Sequence, residues 1–128
     1  MSKKKIILEY PLNYASENIL WIMIGSELGL SEWFSDGVTV EDDLYTFSWD
    51  NHYQSAHLIG KKEGKRIRFQ WEEDKETDAF FEMEIVTQNL SGNVALQITE
   101  FCTPDEIEDL TLLWNKHVEA LRRKVGVN

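Results

Sequence analysis

The sequence predicts an α+β fold: a curved antiparallel sheet of about six to seven strands wrapped around a long C-terminal helix, with two short helices after strand one. Three observations carry this. In the last stretch, Thr103 to Val125, the residues Ile107, Leu110, Leu113, Trp114, Val118, Leu121 and Val125 recur at three- and four-residue steps, so they share one face of a helix. From Val38 to Ile98 the apolar period is two, the signature of half-buried strands. Between them and the N-terminus, Ser16 and Ser26 each stand before a short helical pattern. An amphipathic helix with a tryptophan at mid-stripe needs a broad apolar partner, and the strands supply it.

Taken in order, Lys4 to Leu12 carries Ile6, Ile7, Leu8 and Tyr10 and closes at Pro11, as an edge strand would. Ser16 caps Glu17 to Ile24, with Ile19, Leu20, Met23 and Ile24 expected inward and Gly25 as the stop. Ser26 caps a second helix whose apolar face is Leu28, Leu30, Trp33 and Phe34, ending at Asp36-Gly37. Alternation then runs through Val38 and Val40; Tyr45, Phe47 and Trp49; Ile67, Phe69 and Trp71; Phe81, Met83 and Ile85; and Val94, Leu96 and Ile98. Turn residues separate these runs at Asp50-Asn51, Lys61 to Gly64, Asp74 to Asp78 and Asn89 to Asn93, which reads as a meander of hairpins. If Asp50-Asn51 is a two-residue turn, Trp49 faces His52, the same side carries Gln54, Ala56 and Leu58, and His57 points outward; a three-residue loop would reverse that parity. The final helix opens on Thr103-Pro104-Asp105-Glu106, a capping box with proline at the first helical position, and ends with Arg122, Arg123 and Lys124 before Gly126.

At 128 residues the chain is expected to form one domain, residues 1–128, with a core of its own. With 42% hydrophobic and 28% charged residues it has the profile of a folded globular protein. A net charge of −10 sets it against nucleic acid and anionic membranes, which select basic surfaces. The longest apolar run, Ile19 to Ile24, is far below the ~20 residues of a membrane span. Lys3-Lys4-Lys5 followed by Ile6-Ile7-Leu8 imitates the start of a signal peptide, but Glu9 interrupts it. The lone Cys102 excludes an internal disulfide and fits a reducing compartment, so the cytoplasm is the expected location.

Three stretches carry a resemblance. Leu28 through Trp33-Phe34, the strand Lys65-Arg66-Ile67-Arg68-Phe69-Gln70-Trp71, and Trp114 with Val118 and Leu121 are similar, in this order and separation, to the leucine-rich turn, central strand and terminal helix of one family. The chain thereby resembles the helix-grip fold of the START-like (SRPBCC) superfamily, and within it the group of homologues of the activator of the heat-shock-protein-ninety ATPase. Loops are short where longer relatives carry a lid. The resemblance implies a deep groove between sheet and terminal helix, used by relatives for lipids, sterols, polyketides or other apolar molecules; some relatives are cyclases or dehydratases. Family membership specifies shape better than function.

Candidates for lining the groove are Phe47, Trp49, Phe69, Trp71, Met83 and Trp114, each on the apolar side of its element. Aromatics in such numbers either line a pocket for a flat or greasy ligand or fill it themselves. His117 lies at the margin of the helix stripe, within reach of the groove's edge, and is read as structural or exposed. His52 and His57 flank a hairpin, and no catalytic triad can be assembled. The acidic clusters Glu41-Asp42-Asp43 and Glu72-Glu73-Asp74 with Glu76 and Asp78 lack the glycine-centred spacing of a calcium loop and are read as solvated hairpin tips. Cys102 reads as a small buried residue at a strand end. No catalytic residue, metal or cofactor is expected.

The leading expectation is therefore a module that binds a small apolar molecule, lipid-like or aromatic. The alternative is a protein-interaction module such as a chaperone ATPase accessory, to which an acidic surface would steer basic partners. A third reading, a cyclase- or hydratase-type enzyme, requires a titratable group deep in the groove. Leu112, opposite the apolar stripe of the last helix, is expected to be exposed.

Overall fold

The computed structural model describes residues 3–88 and 90–126. Its elements are β1 (Lys4–Pro11), α1 (Glu17–Gly25), α2 (Glu27–Trp33), β2 (Gly37–Glu41), β3 (Leu44–Trp49), β4 (His52–Lys62), β5 (Arg66–Trp71), β6 (Phe81–Thr87), β7 (Val94–Cys102) and α3 (Ile107–Val125). The seven strands form one antiparallel sheet in the order β1-β7-β6-β5-β4-β3-β2. β2 to β7 are successive hairpins, while β1, separated from them by two helices, returns to pair with β7 and forms one edge. Asn89, in the expected turn before β7, lies outside the described residues.

Register follows from turn chemistry. Asp50 and Asn51 both take positive φ, 48° and 70°, as a two-residue hairpin of the primed type demands. Trp49 is accordingly paired with His52, Ala56 is buried, and His57 falls on the opposite face, where its Nε2 meets the Glu72 carboxylate. A shift of register between Leu58 and Gly60 marks a bulge in β4, which helps bend the sheet toward α3.

The two short helices meet at a corner built by one serine and one glycine. Ser26 Oγ donates to Ile22 O at 2.6 Å and accepts from Gly29 N at 2.9 Å, closing α1 and opening α2 with the same hydroxyl. A Cβ on Gly29 would stand 2.0 Å from Ile22 O, so the helices can approach this closely only with glycine there. Trp33 Nε1 donates to Met23 O at 2.8 Å across the same corner. Ile19 and Leu28, expected inward, are instead 45% and 73% exposed. Leu20, Ile24, Leu30 and Trp33 already cover the contact, and with Gly29 turned into α1, its neighbour Leu28 points to solvent.

The capping box forms as expected, with Glu106 Oε1 accepting from Thr103 N at 2.9 Å, although the first turn, Pro104–Glu106, is 3-10 rather than α. Gly126 ends α3 at φ 77°. Trp114, Val118 and Leu121 are buried, and Leu110 and Val125 partly so. Ile107 and Leu113 depart from the predicted stripe at 41% and 49% exposed, because α3 starts at the rim of the sheet where β7 ends and its first turns are covered only along the Leu110–Trp114 edge. Leu112 is exposed, as expected. Among the described residues no helix is long and apolar enough to cross a membrane.

The two faces of the sheet differ sharply. The concave face carries Phe47, Phe69, Phe81, Met83, Leu96 and Ile98, all with no exposure. On the convex face, Lys65 Nζ lies 3.1 Å from Glu84, and Arg68 Nε and Arg66 Nε lie 2.9 Å and 3.9 Å from Glu82 Oε1. One acidic residue read as solvated is not: Asp74 is buried and accepts from Lys3 Nζ at 3.0 and 3.3 Å, because the 3-10 turn Glu72–Asp74 folds it under the N-terminal strand.

Candidate functional site

The space between the concave face and α3 is organised by aromatic rings. Phe34, at the end of α2, is the hub: its ring centroid lies 5.0 Å from Phe47, 5.4 Å from Trp49, 5.5 Å from Trp114 and 5.9 Å from Phe81. Trp71 stacks on Phe81 at 4.6 Å, and Phe81 on Phe69 at 5.1 Å. Of the six residues expected to line the groove, five join this cluster: Phe47, Phe69 and Trp114 at its floor, Trp49 and Trp71 half-buried at its margin. Met83, fully buried in the same core, is paired across the sheet with Ile67 and Ile98.

The cluster opens to solvent at a depression of about 430 Å³ lined by Trp33, Phe34, Trp49 and His117, with Glu32, Ser35 and Asp36 on its rim. Trp49 is fixed there by donating from Nε1 to Phe34 O at 2.7 Å. His117 sits between rings, 5.1 Å from Phe34, 5.4 Å from Trp114 and 6.4 Å from Trp49. Burial lowers the imidazole to about 4 against a hydrogen bond to the Trp33 backbone, so it is neutral at neutral pH. It thus reaches the groove's edge, half-buried, as a wall of the mouth.

Beyond Trp114 lies a group the sequence reading did not single out. Glu100, on β7, is 9% exposed; Trp114 Nε1 donates to its Oε2 at 2.5 Å and Trp71 Nε1 to its Oε1 at 3.4 Å. Burial raises the Glu100 carboxyl above its ordinary range, opposed first by the Trp114 and then by the Trp71 hydrogen bond. Strand parity held the signal: Leu96 and Ile98 point inward, so Glu100 must follow them. Trp114 therefore touches His117 at the mouth with its ring and Glu100 in the interior with its N–H. The titratable side chain that an enzymatic reading requires in the interior is present in Glu100, with His117 at the mouth. Cys102, by contrast, is buried at the end of β7 with its thiol pushed up by burial, which leaves it an inert packing residue. Among the described residues no cluster of three or more His, Cys, Asp or Glu is arranged to hold a metal.

Residues 1–127 match the family model of the START-like superfamily domain. No curated protein matches the chain. Among solved structures, the Bacteroides fragilis protein BfR322 is 39% identical, with 97% of this chain and 92% of that one covered and a TM-score of 0.67. The Aha1 dimer from Colwellia psychrerythraea is 11% identical with a TM-score of 0.77, covering 95% of this chain and 96% of that one, a likeness of fold alone. The Chromobacterium violaceum protein CV1439 is similar in the same sense, at 19% identity and a TM-score of 0.66, over 94% of this chain and 96% of that one.

Proposed function

The chain belongs to the START-like superfamily, whose domains commonly bind hydrophobic molecules, and on that premise we propose that it holds a small apolar or aromatic ligand between its sheet and α3. One observation carries the reading: the depression is walled by Trp33, Phe34, Trp49 and His117, and three of these, Trp33, Phe34 and His117, pack on the buried ring of Trp114. A depression that sets the rings of Trp33, Phe34 and Trp49 beside Ser31, Glu32, Ser35 and Asp36 suits a ligand with an apolar body and a polar end. Phe47, Trp49, Phe69, Trp71, Met83 and Trp114 are the proposed contacts, Trp49 and Trp71 first because they are reachable without opening the core. Binding would shift the rings of the floor apart, which the dense stacking makes costly unless the ligand replaces their contacts.

The test is native mass spectrometry of protein purified gently from its own host, followed by tryptophan fluorescence with a panel of lipids and aromatic compounds. An extra mass that disappears on denaturation, or a saturable fluorescence change, is the expected result. A bare mass together with no response across the panel would overturn it. Ile107, Leu112 and Leu113, exposed along the first half of α3, favour a second reading as a protein-interaction module. That reading fails if no stoichiometric partner is captured at low salt by the wild-type protein and lost with charged replacements at these positions.

A further inference from the structure

Resting on the groove reading above, we propose that the ligand carries a protonated primary or secondary amine, and that Glu100, flanked by the indoles of Trp71 and Trp114, is the group that receives it. Glu100 is a carboxyl in an aromatic enclosure with no cation at ion-pair distance among the described residues. Lys3 is the cation whose field reaches it, but that ammonium is committed to Asp74 at 3.0 and 3.3 Å. A buried carboxylate without a positive partner is costly, and a ligand ammonium would remove the cost.

Hydrogen bonding sharpens the class. A carboxylate accepts about four hydrogen bonds, and the two indole N–H groups occupy two of them. The remaining lone pairs call for a ligand with N–H donors. The mouth agrees with this chemistry. Asp36 stands on its rim, Glu32 beside it is already paired with Lys124 Nζ at 3.1 Å, and His117 contributes no charge. An acidic chain of net charge −10 would attract an amine and repel a fatty acid.

The test is a fluorescence titration near neutral pH with dodecylamine, dodecyltrimethylammonium, dodecanol and dodecanoate, each below its micellar concentration. The amine should bind about tenfold more tightly than the alcohol, with the trimethyl compound intermediate and dodecanoate weakest. That preference should vanish in Glu100→Gln. Equal binding of amine and alcohol overturns the amine proposal and leaves the groove reading intact; no binding by any probe removes both. Equal binding of amine and trimethyl compound overturns the hydrogen-bonded assignment. Should Glu100→Gln fail to fold, the wild-type protein provides the same decision through pH. The trimethyl probe does not titrate, so any loss of its preference over dodecanol reports the protein. The ionisable groups in play are Glu100, with Lys3 just before β1, Asp74 from the turn after β5 and Cys102 further along β7 around it, and His117 beside Trp114. The preference should fall as acid protonates Glu100, and a preference unchanged from neutral pH down to 4.5 overturns the proposal.

Discussion

Glu82 and Glu100 are almost equally hidden, 7% and 9% exposed, on the neighbouring strands β6 and β7, yet their surroundings are opposite. Glu82 faces the convex side, where Arg68 at 2.9 Å and Arg66 at 3.9 Å neutralise it. Glu100 faces the concave side and receives two indole N–H groups and, among the described residues, no cation at ion-pair distance. Equal burial therefore does not mean equal function. A carboxylate whose charge is answered within the chain serves the sheet; one that is hydrogen-bonded but not neutralised is left to answer to something from outside.

The largest test of that contrast removes the residue that holds Glu100. Trp114→Ala should cost about 3–5 kcal/mol in urea unfolding, both for the lost ring and for the carboxylate oxygen left without its donor. A loss well below that would mean that Trp114 does not support the Glu100 side at all.

Next in size is His117→Phe, read as melting temperature against pH. The folded imidazole titrates at about 4, below its ordinary 6.5, so its contribution is complete above 6.5 and is lost as pH falls toward 4, on the order of 2–3 kcal/mol. Glu100 has the opposite sign. Its folded carboxyl titrates above its ordinary value, so its contribution is present in acid and is lost as pH rises through the folded value. In the wild type the two partly mask each other. Phenylalanine at 117 should remove the acid loss and reveal Glu100 alone; an unchanged profile would break the assignment.

Smallest is the direct exchange at neutral pH. Glu82→Gln should destabilise by about 1 kcal/mol, limited because Arg66 and Arg68 are 44% and 40% exposed and screened by water. Glu100→Gln should stay within about 1 kcal/mol of wild type and flatten the pH dependence, since it removes a buried ionisable group that has no cation partner among the described residues. Equal losses by chemical denaturation would erase the distinction.

The fold was legible because its signals are local and agree with one another. Strand parity located Phe47, Phe69 and Trp71, Asp50-Asn51 set the hairpin, and Thr103 with Glu106 announced the helix. The site was less so. Glu100 obeys the same parity as Ile98 but was passed over because a charged residue at a strand end is ordinarily solvated. Phe34 reads as one more apolar residue of α2, and only tertiary packing makes it the hub between Phe47, Trp49 and Trp114. For Ile107 and Leu113, periodicity identifies a face but not how much of that face a partner covers.

The near-contact at Gly29 also bears on how fast the groove can exchange its contents. With backbone against backbone at that corner, α1 and α2 have no slack to swing, so Trp33 and Phe34 cannot part from Trp49 on a hinge between them. Entry and exit must come from rotation of the half-buried mouth side chains Trp49 and His117 or from slower loosening of the first turns of α3. A bulky ligand would then be trapped for as long as α3 stays closed, and residence time rather than affinity would be the property that this glycine controls.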